Sequence, residues 1–147
     1  ASSETFAPKT LTPTGNTQIV CLIYTPDGSL RGVNRSVAQQ IDLMPTLLGL
    51  TGYDRPYFAF GRDVLRETDR EPMVSNYAGG TYQGITDSLV LFFDGERTLS
   101  AYLRSDTLQK NDISGIRTPA LEAAERDLKA RLQQYYRHVK QKDYLAE

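Results

Sequence analysis

The residues best suited to nucleophilic chemistry are one cysteine and one histidine, Cys21 and His138. Such a pair could act as a thiolate nucleophile and its general base. Cys21, however, lies in the middle of the apolar run at residues 18–24 (QIVCLIY), and a thiol in a buried strand is usually inert. His138 lies near the end of a predicted helix, where the negative end of the helix dipole favours a histidine. We therefore predict no catalytic residue in this chain.

Metal chemistry has few candidate ligands. A single histidine and a single cysteine cannot build a zinc site without carboxylates. Asp106 and Asp112, in the stretch SDTLQKND, could suggest calcium, but their spacing lacks the alternating carboxylates of an EF-hand. We interpret this stretch as a loop whose Asp and Asn side chains bind their own backbone. No metal ligand and no cofactor are predicted in this chain.

Composition excludes further classes of function. The 147 residues carry a net charge of −1, which gives no reason to expect a nucleic-acid partner. No run of apolar residues approaches the length of about 18 that a membrane-spanning helix requires. One cysteine excludes an intrachain disulfide.

The elements that would position these residues differ between the two halves. Residues 1–17 are predicted to form an extended loop, and residues 18–24 a strand buried on both faces because the run does not alternate. A short helix is predicted at about 42–51, with Asp42 as its N-cap and Pro45 in its first turn, where proline removes no helical hydrogen bond. Gly52 is expected to end the helix in a left-handed conformation.

The second half predicts an antiparallel sheet and a long helix. Strands are expected at 73–77, 81–86, 88–93 and 98–103, and the pair Asp94-Gly95 predicts a tight hairpin turn. Thr118 and Pro119 are typical of a helix start. The helix presents an apolar face that should cover the sheet, formed by Leu121, Ala124, Leu128, Leu132, Tyr135 and Val139.

Two segments in order resemble a known family. QQIDLMPTLLGLTG is followed by YFAFGRDVL, and together they resemble the sulfatases of the alkaline-phosphatase superfamily, most closely the lipoteichoic-acid-synthase-like branch. A Gln-Ile-Asp-x-x-Pro-Thr-Leu-Leu segment and a following Phe-Gly-x-Asp-Leu recur in that family. The residues that match this scaffold motif are Gln40, Ile41, Asp42, Pro45, Thr46, Leu47 and Leu48, then Phe60, Gly61, Asp63 and Leu65.

The resemblance implies a fold class and a parent activity. The expected fold is α+β: one buried strand and a short helix complete a larger α/β sandwich, and a three- to four-stranded antiparallel sheet follows, covered by a long C-terminal helix. Residues 1–70 would be the tail end of the large domain and 71–147 a small subdomain. The family transfers or hydrolyses sulfate or phosphate esters with a divalent metal such as Mn, Mg, Ca or Zn. The resemblance also implies a membrane-anchored parent with an extracytoplasmic (periplasmic or extracellular) catalytic domain, and we expect this chain itself to be soluble.

The resemblance carries no catalytic or metal residue onto this chain. The family's nucleophile lies early in its sequence, and its last metal ligands are an Asp-His pair ahead of the strand. No such dipeptide occurs here, and the only histidine is far downstream. The motif residues, Gln40, Asp42, Pro45, Thr46, Gly61 and Asp63 among them, are therefore expected to be scaffold. The chain is predicted to be inactive without the missing N-terminal catalytic part of its parent.

Two other readings remain open. Residues 73–147 could form a stand-alone glycan- or protein-binding module, with Tyr77, Tyr82 and Tyr102 as a surface platform. A cysteine-dependent enzyme would instead need Cys21 to be reactive. Because a central strand requires neighbours on both edges, we also expect residues 1–65 to self-associate, to pair with a partner chain or to fold back along the sheet.

Overall fold

The fold is α+β, and the computed structural model describes residues 12–66 and 71–141. Two short 3-10 helices, Gly15–Thr17 and Gln40–Asp42, precede helix α1 at Leu43–Leu50. Four strands and a long helix follow: β1 Met73–Ala78, β2 Thr81–Thr86, β3 Leu89–Phe93, β4 Thr98–Leu103 and α2 Pro119–Gln141. Residues 1–11 of the predicted N-terminal loop lie outside the described part of the chain.

The sheet is an antiparallel meander in the order β1-β2-β3-β4, as predicted. The β3–β4 turn forms because Asp94 accepts the backbone N–H groups of Glu96 and Arg97, while Gly95 adopts a φ of 113°. Thr118 caps α2 by accepting the N–H of Leu121, and Pro119 is its first residue. The predictions for these elements are confirmed.

The hydrophobic core lies between one face of this sheet and the first half of α2. Leu121, Ala124 and Leu128 of the helix pack with buried residues of the strands. Gly84 makes room for this contact, because a Cβ atom there would lie 3.2 Å from Leu128 Cδ2 and 3.2 Å from Leu91 Cγ. The other core members are Met73, Leu89, Leu91, Phe93 and Ala101.

The second half of α2 extends past this core. Leu132 is partly buried, but Tyr135 and Val139 are exposed, so the predicted apolar face covers the sheet along only part of its length. A helix of 23 residues, at about 1.5 Å per residue, is longer than the width of a sheet of four strands. The prediction that this face covers the sheet is therefore wrong for Tyr135 and Val139.

The prediction of a buried strand at residues 18–24 is wrong for this chain as it folds. The segment is extended but not paired in a sheet, and Val20 and Leu22 are 95% and 88% exposed. A strand buried on both faces needs neighbouring strands and two covering layers. The only sheet in the described residues is the meander, and it does not accept this segment.

The rest of the first half folds back along the meander. Gln39 Oε1 accepts the N–H of Ser75 at the outer edge of β1, at 3.1 Å. Asp87, in the β2–β3 turn, accepts the N–H of Val37 at 2.8 Å. One of the outcomes expected for residues 1–65, folding back along the sheet, is thus observed for residues 36–39.

Candidate functional site

The two segments of the scaffold motif meet in a compact cluster, which we call the clasp and define as residues 39–49 and 60–64. Asp42 lies at its centre and is only 5% exposed. Its Oδ2 accepts the N–H of Gln39 at 2.9 Å, and its Oδ1 accepts the N–H of Arg62 at 2.9 Å. One buried carboxylate therefore joins the two segments of the motif.

Thr46 makes the second connection of the clasp. Its hydroxyl donates to the Asp42 carbonyl at 2.7 Å and accepts the N–H of Val64 at 3.1 Å. Asp42 is at the N-cap position of α1, but the prediction that its side chain caps the helix is wrong. Its carboxylate accepts the N–H groups of Gln39 and Arg62 instead. Pro45 is buried in the first turn and Gly52 has a φ of 69° at the helix end, as predicted.

Two glycines allow the segments to approach closely. A Cβ atom on Gly61 would overlap the backbone carbonyl oxygen of Ile41, and one on Gly49 would overlap the carboxylate of Asp63. Asp63 accepts the N–H of Leu65 at 2.9 Å and pairs with Arg66. The contact at Gly61 is between backbones, so only glycine fits there without displacing the chain.

The Gln40 side chain takes no part in the contacts that join the two segments. Gln40 is exposed, whereas its neighbour Gln39 makes the contact with β1. Sequence reasoning instead missed Arg62, which donates from Nη2 to the Val37 carbonyl at 2.9 Å. Nothing in the spacing of the sequence distinguished Arg62 from other surface arginines.

The clasp leaves little chemistry available, because its carboxylates and hydroxyl accept backbone N–H groups. The same holds for the loop after β4. Asp106 accepts the N–H groups of Lys110 and Asn111, and Asp112 accepts those of Ala101 and Ser114. These backbone hydrogen bonds lower the pKa of both carboxyl groups. The prediction of a loop that binds its own backbone is confirmed.

A divalent metal does not fit the described residues. Within residues 12–66 and 71–141, no three His, Cys, Asp or Glu side chains converge as metal ligands would. Cys21 is exposed on the extended segment, while the His138 ring packs against Phe58, with centroids 4.8 Å apart. Chemistry through a metal therefore has no support in these residues.

An open groove lies between β1 and the second half of α2, and we call it the tyrosine groove. Its volume is about 510 Å³. The Tyr82 and Tyr136 hydroxyls are hydrogen-bonded to each other across it. This bond raises the pKa of the Tyr82 hydroxyl above its ordinary value of 10.0. The lining residues are Ser75, Asn76, Tyr77, Tyr82, Leu132, Tyr135 and Tyr136.

The predicted aromatic platform is only partly assembled. Tyr77 and Tyr82 are cross-strand partners with ring centroids 4.9 Å apart. Tyr102 lies on the opposite face of the sheet, where its ring centroid is 6.2 Å from that of Phe92. It pairs with Val90, and the neighbouring pair of Leu91 with Ala101 faces the core. Tyr135 and Tyr136 of α2 complete the groove instead. The helical spacing predicts Tyr135 on the face toward the sheet, whereas nothing in it indicates a place for Tyr136.

Comparisons with known proteins add no relative. No family model, no curated protein and no solved structure matches this chain. Among the described helices, none combines the length and apolar character needed to cross a membrane.

Proposed function

We propose that this chain is the non-catalytic C-terminal portion of a metal-dependent enzyme that acts on sulfate or phosphate esters. The enzyme would be a sulfatase or a phosphoglycerol transferase of the lipoteichoic-acid-synthase-like branch. The resemblance of the two motif segments is the starting point, and the clasp gives a physical reason why both segments occur in one chain. Asp42 and Thr46 of the first segment accept the backbone N–H groups of residues 62 and 64 in the second, so each segment holds the other in place.

The exposed apolar surface of the first half is the observation that carries the proposal. Residues 18–24 are extended and apolar on both faces, yet largely exposed. Helix α1 also exposes a set of large apolar side chains, which such a short helix would normally bury. They are Leu43, Met44, Leu47 and Leu50, together with Ile41 just before the helix. A missing sheet and its layers would cover both surfaces.

The roles of this chain and of the missing N-terminal part are assigned from the side chains that this chain contains. The nucleophile and the metal ligands would belong to the missing N-terminal part, which would also carry any membrane anchor. In this proposal the parent presents its catalytic domain outside the cytoplasm. Asp42 of the clasp and Asp112 of the 105–117 loop would hold backbone N–H groups and contact no substrate. This portion would thus brace the catalytic domain without contacting substrate.

The coding sequence upstream of residue 1 tests this proposal. We expect an open reading frame that contains a threonine or sulfatase-type cysteine nucleophile and an Asp-His pair shortly before residue 1. An in-frame stop codon followed by a start codon directly before residue 1 would contradict it.

An activity assay of the isolated chain tests the assigned lack of catalysis. The substrates are chromogenic sulfate and phosphate esters, each with Mn²⁺, Mg²⁺, Ca²⁺ or Zn²⁺. We expect no turnover above that of the buffer with metal alone. Turnover that a chelator abolishes would show that this chain holds a catalytic site of its own.

A further inference from the structure

We propose that the tyrosine groove binds a neutral oligosaccharide. Four of its lining side chains are tyrosines, which combine an apolar ring face with a polar hydroxyl. A sugar ring has the matching character, since its axial C–H groups form an apolar face and its hydroxyls form a polar rim. Ligand sites commonly join a mainly apolar wall with a few polar groups in this way.

The rings are accessible to such a ligand. Tyr77 is 64% exposed, and Tyr135 and Tyr136 are about half exposed. Ser75 adds a side-chain hydroxyl at the β1 side of the groove. The hydroxyl pair of Tyr82 and Tyr136 retains one O–H that neither tyrosine needs for the bond between them. Stacking surfaces and hydroxyl-directed hydrogen bonds therefore lie side by side.

The absence of charge around the groove selects among ligands. None of its seven lining residues is acidic or basic. A phosphorylated, sulfated or carboxylated ligand would find no cationic partner among these residues, so they give an anionic glycan or a nucleic acid no electrostatic attraction. A neutral sugar needs no such partner.

Binding of a peptide by strand addition is disfavoured by the edge of β1. The Gln39 side chain already accepts the outward-facing N–H of Ser75. Outward-facing groups recur at every second residue of β1, so Met73 and Tyr77 remain, one on each side of Ser75. An added strand would have to displace Gln39 or rely on these two separated residues.

The groove is held in shape before any ligand arrives. The Phe60 ring packs against Tyr135 with centroids 5.4 Å apart, and Tyr135 contacts Tyr136 at 5.6 Å. Leu132 forms its floor and packs against the hydrophobic core. A preformed site loses less conformational entropy on binding, which favours weak ligands such as sugars.

The experiment is an NMR titration of the ¹⁵N-labelled 147-residue chain with cellohexaose, laminarihexaose and chitohexaose. We expect saturable shifts of the backbone amides of β1, of β2 and of residues 132–136 with at least one of these sugars. Tyr77→Ala should weaken binding about tenfold through the lost stacking, and Tyr77→Phe should retain most of it. Tyr24→Ala removes an exposed ring outside the groove and should leave affinity unchanged.

Three results would overturn the proposal. One is the lack of saturable shifts at the groove with all three sugars, and another is equal loss of affinity in Tyr77→Ala and Tyr24→Ala. The third is that the chemical shifts of the groove amides change with protein concentration and not with sugar, which would mean that the groove is a contact between two copies of this chain. None of these results bears on the proposed parent enzyme, whose test is the upstream coding sequence.

Discussion

At the scale of single residues, the distance between backbones decides which side chains the clasp accepts. Gly61 lies against the Ile41 carbonyl, and the adjacent Arg62 N–H binds Asp42. A side chain at residue 61 would push the second segment away and lengthen this hydrogen bond. The buried carboxylate of Asp42 would then lose a donor that it cannot replace from solvent.

Gly61→Ala is therefore expected to lower the free energy of unfolding by about 1–3 kcal/mol, the usual cost of forcing extra atoms into a packed region. The measurement is urea denaturation followed by circular dichroism. Gly115→Ala is the matched control, because a Cβ atom there meets no atom within 4 Å. Equal stability of the two variants would mean that the clasp tolerates separation of its segments.

Asp112 gives the prediction for pH. Its hydrogen bonds from Ala101 and Ser114 lower the pKa of the carboxyl group below its ordinary value of 3.8. A depressed pKa in the folded state adds stability that is present above the unfolded-state pKa and disappears as pH falls through the folded-state pKa. Asp112→Asn should therefore unfold at a lower temperature than the wild type at pH 6. The difference between the two unfolding temperatures should become smaller below pH 3.8.

Thermal unfolding between pH 6 and pH 2 measures this difference. Glu96→Gln is the control, because the Glu96 side chain makes no hydrogen bond to the described residues. The unfolding temperature of this variant should change with pH as that of the wild type does. A difference for Asp112→Asn that stays constant over the whole range would contradict the role given to the ionised carboxylate.

Single residues also show where the sequence is informative about the site. The motif marks Asp42 and Thr46, and local sequence predicts that Asp42 caps its own helix because a cap is a local arrangement. One of the two groups that Asp42 binds, the Arg62 N–H, lies 20 residues away. Such a pairing depends on how two segments meet in space, and the order of residues alone does not specify it.

At the scale of elements, α2 works in two parts. Its first half buries Leu121, Ala124 and Leu128 against the sheet, and its second half supplies Tyr135 and Tyr136 to the groove. The ion pair of Glu125 with Lys129, at 2.7 Å, lies near the junction of the two parts, and Glu125 also accepts a hydrogen bond from Thr98. The stability of the sheet should depend mainly on the first half, because only Leu132 of the second half packs against the core.

Leu128→Ala is expected to cost about 2–5 kcal/mol of unfolding free energy, because Leu128 is fully buried. Val139→Ala on the same helix should change stability by no more than about 0.5 kcal/mol, since Val139 is exposed. Chemical denaturation of both variants measures the contrast. Similar losses would show that the far end of α2 also packs against a core.

The elements themselves were predictable where local chemistry decides them. Hairpin residues such as Asp94 and Gly95 and the cap at Thr118 act over three or four residues, so the strands and α2 follow from the sequence. The run at 18–24 has the composition of a strand too. Whether it becomes one depends on neighbouring strands, which the meander does not provide.

At the scale of the whole molecule, apolar surface is divided unevenly. The second half buries its apolar face between the sheet and α2, whereas residues 18–24 and α1 leave theirs in solvent. The backbone of residues 19–24 makes no hydrogen bond to the described residues, and the apolar side chains of this segment are largely exposed. Both features favour association with another chain.

We therefore expect the isolated chain to self-associate through residues 18–24. In sedimentation velocity, its weight-average sedimentation coefficient should rise with protein concentration, and the double variant Val20→Asp, Leu22→Asp should suppress that rise because charges cannot be buried in a strand pair. Val33→Asp adds a charge at another exposed position and should leave the rise intact. A wild-type chain that stays monomeric at every concentration, or a Val33→Asp variant that dissociates equally well, would show that this segment is not the contact. Association through it would mean that the apolar run accepts a neighbouring chain in place of the sheet that the proposed parent would supply.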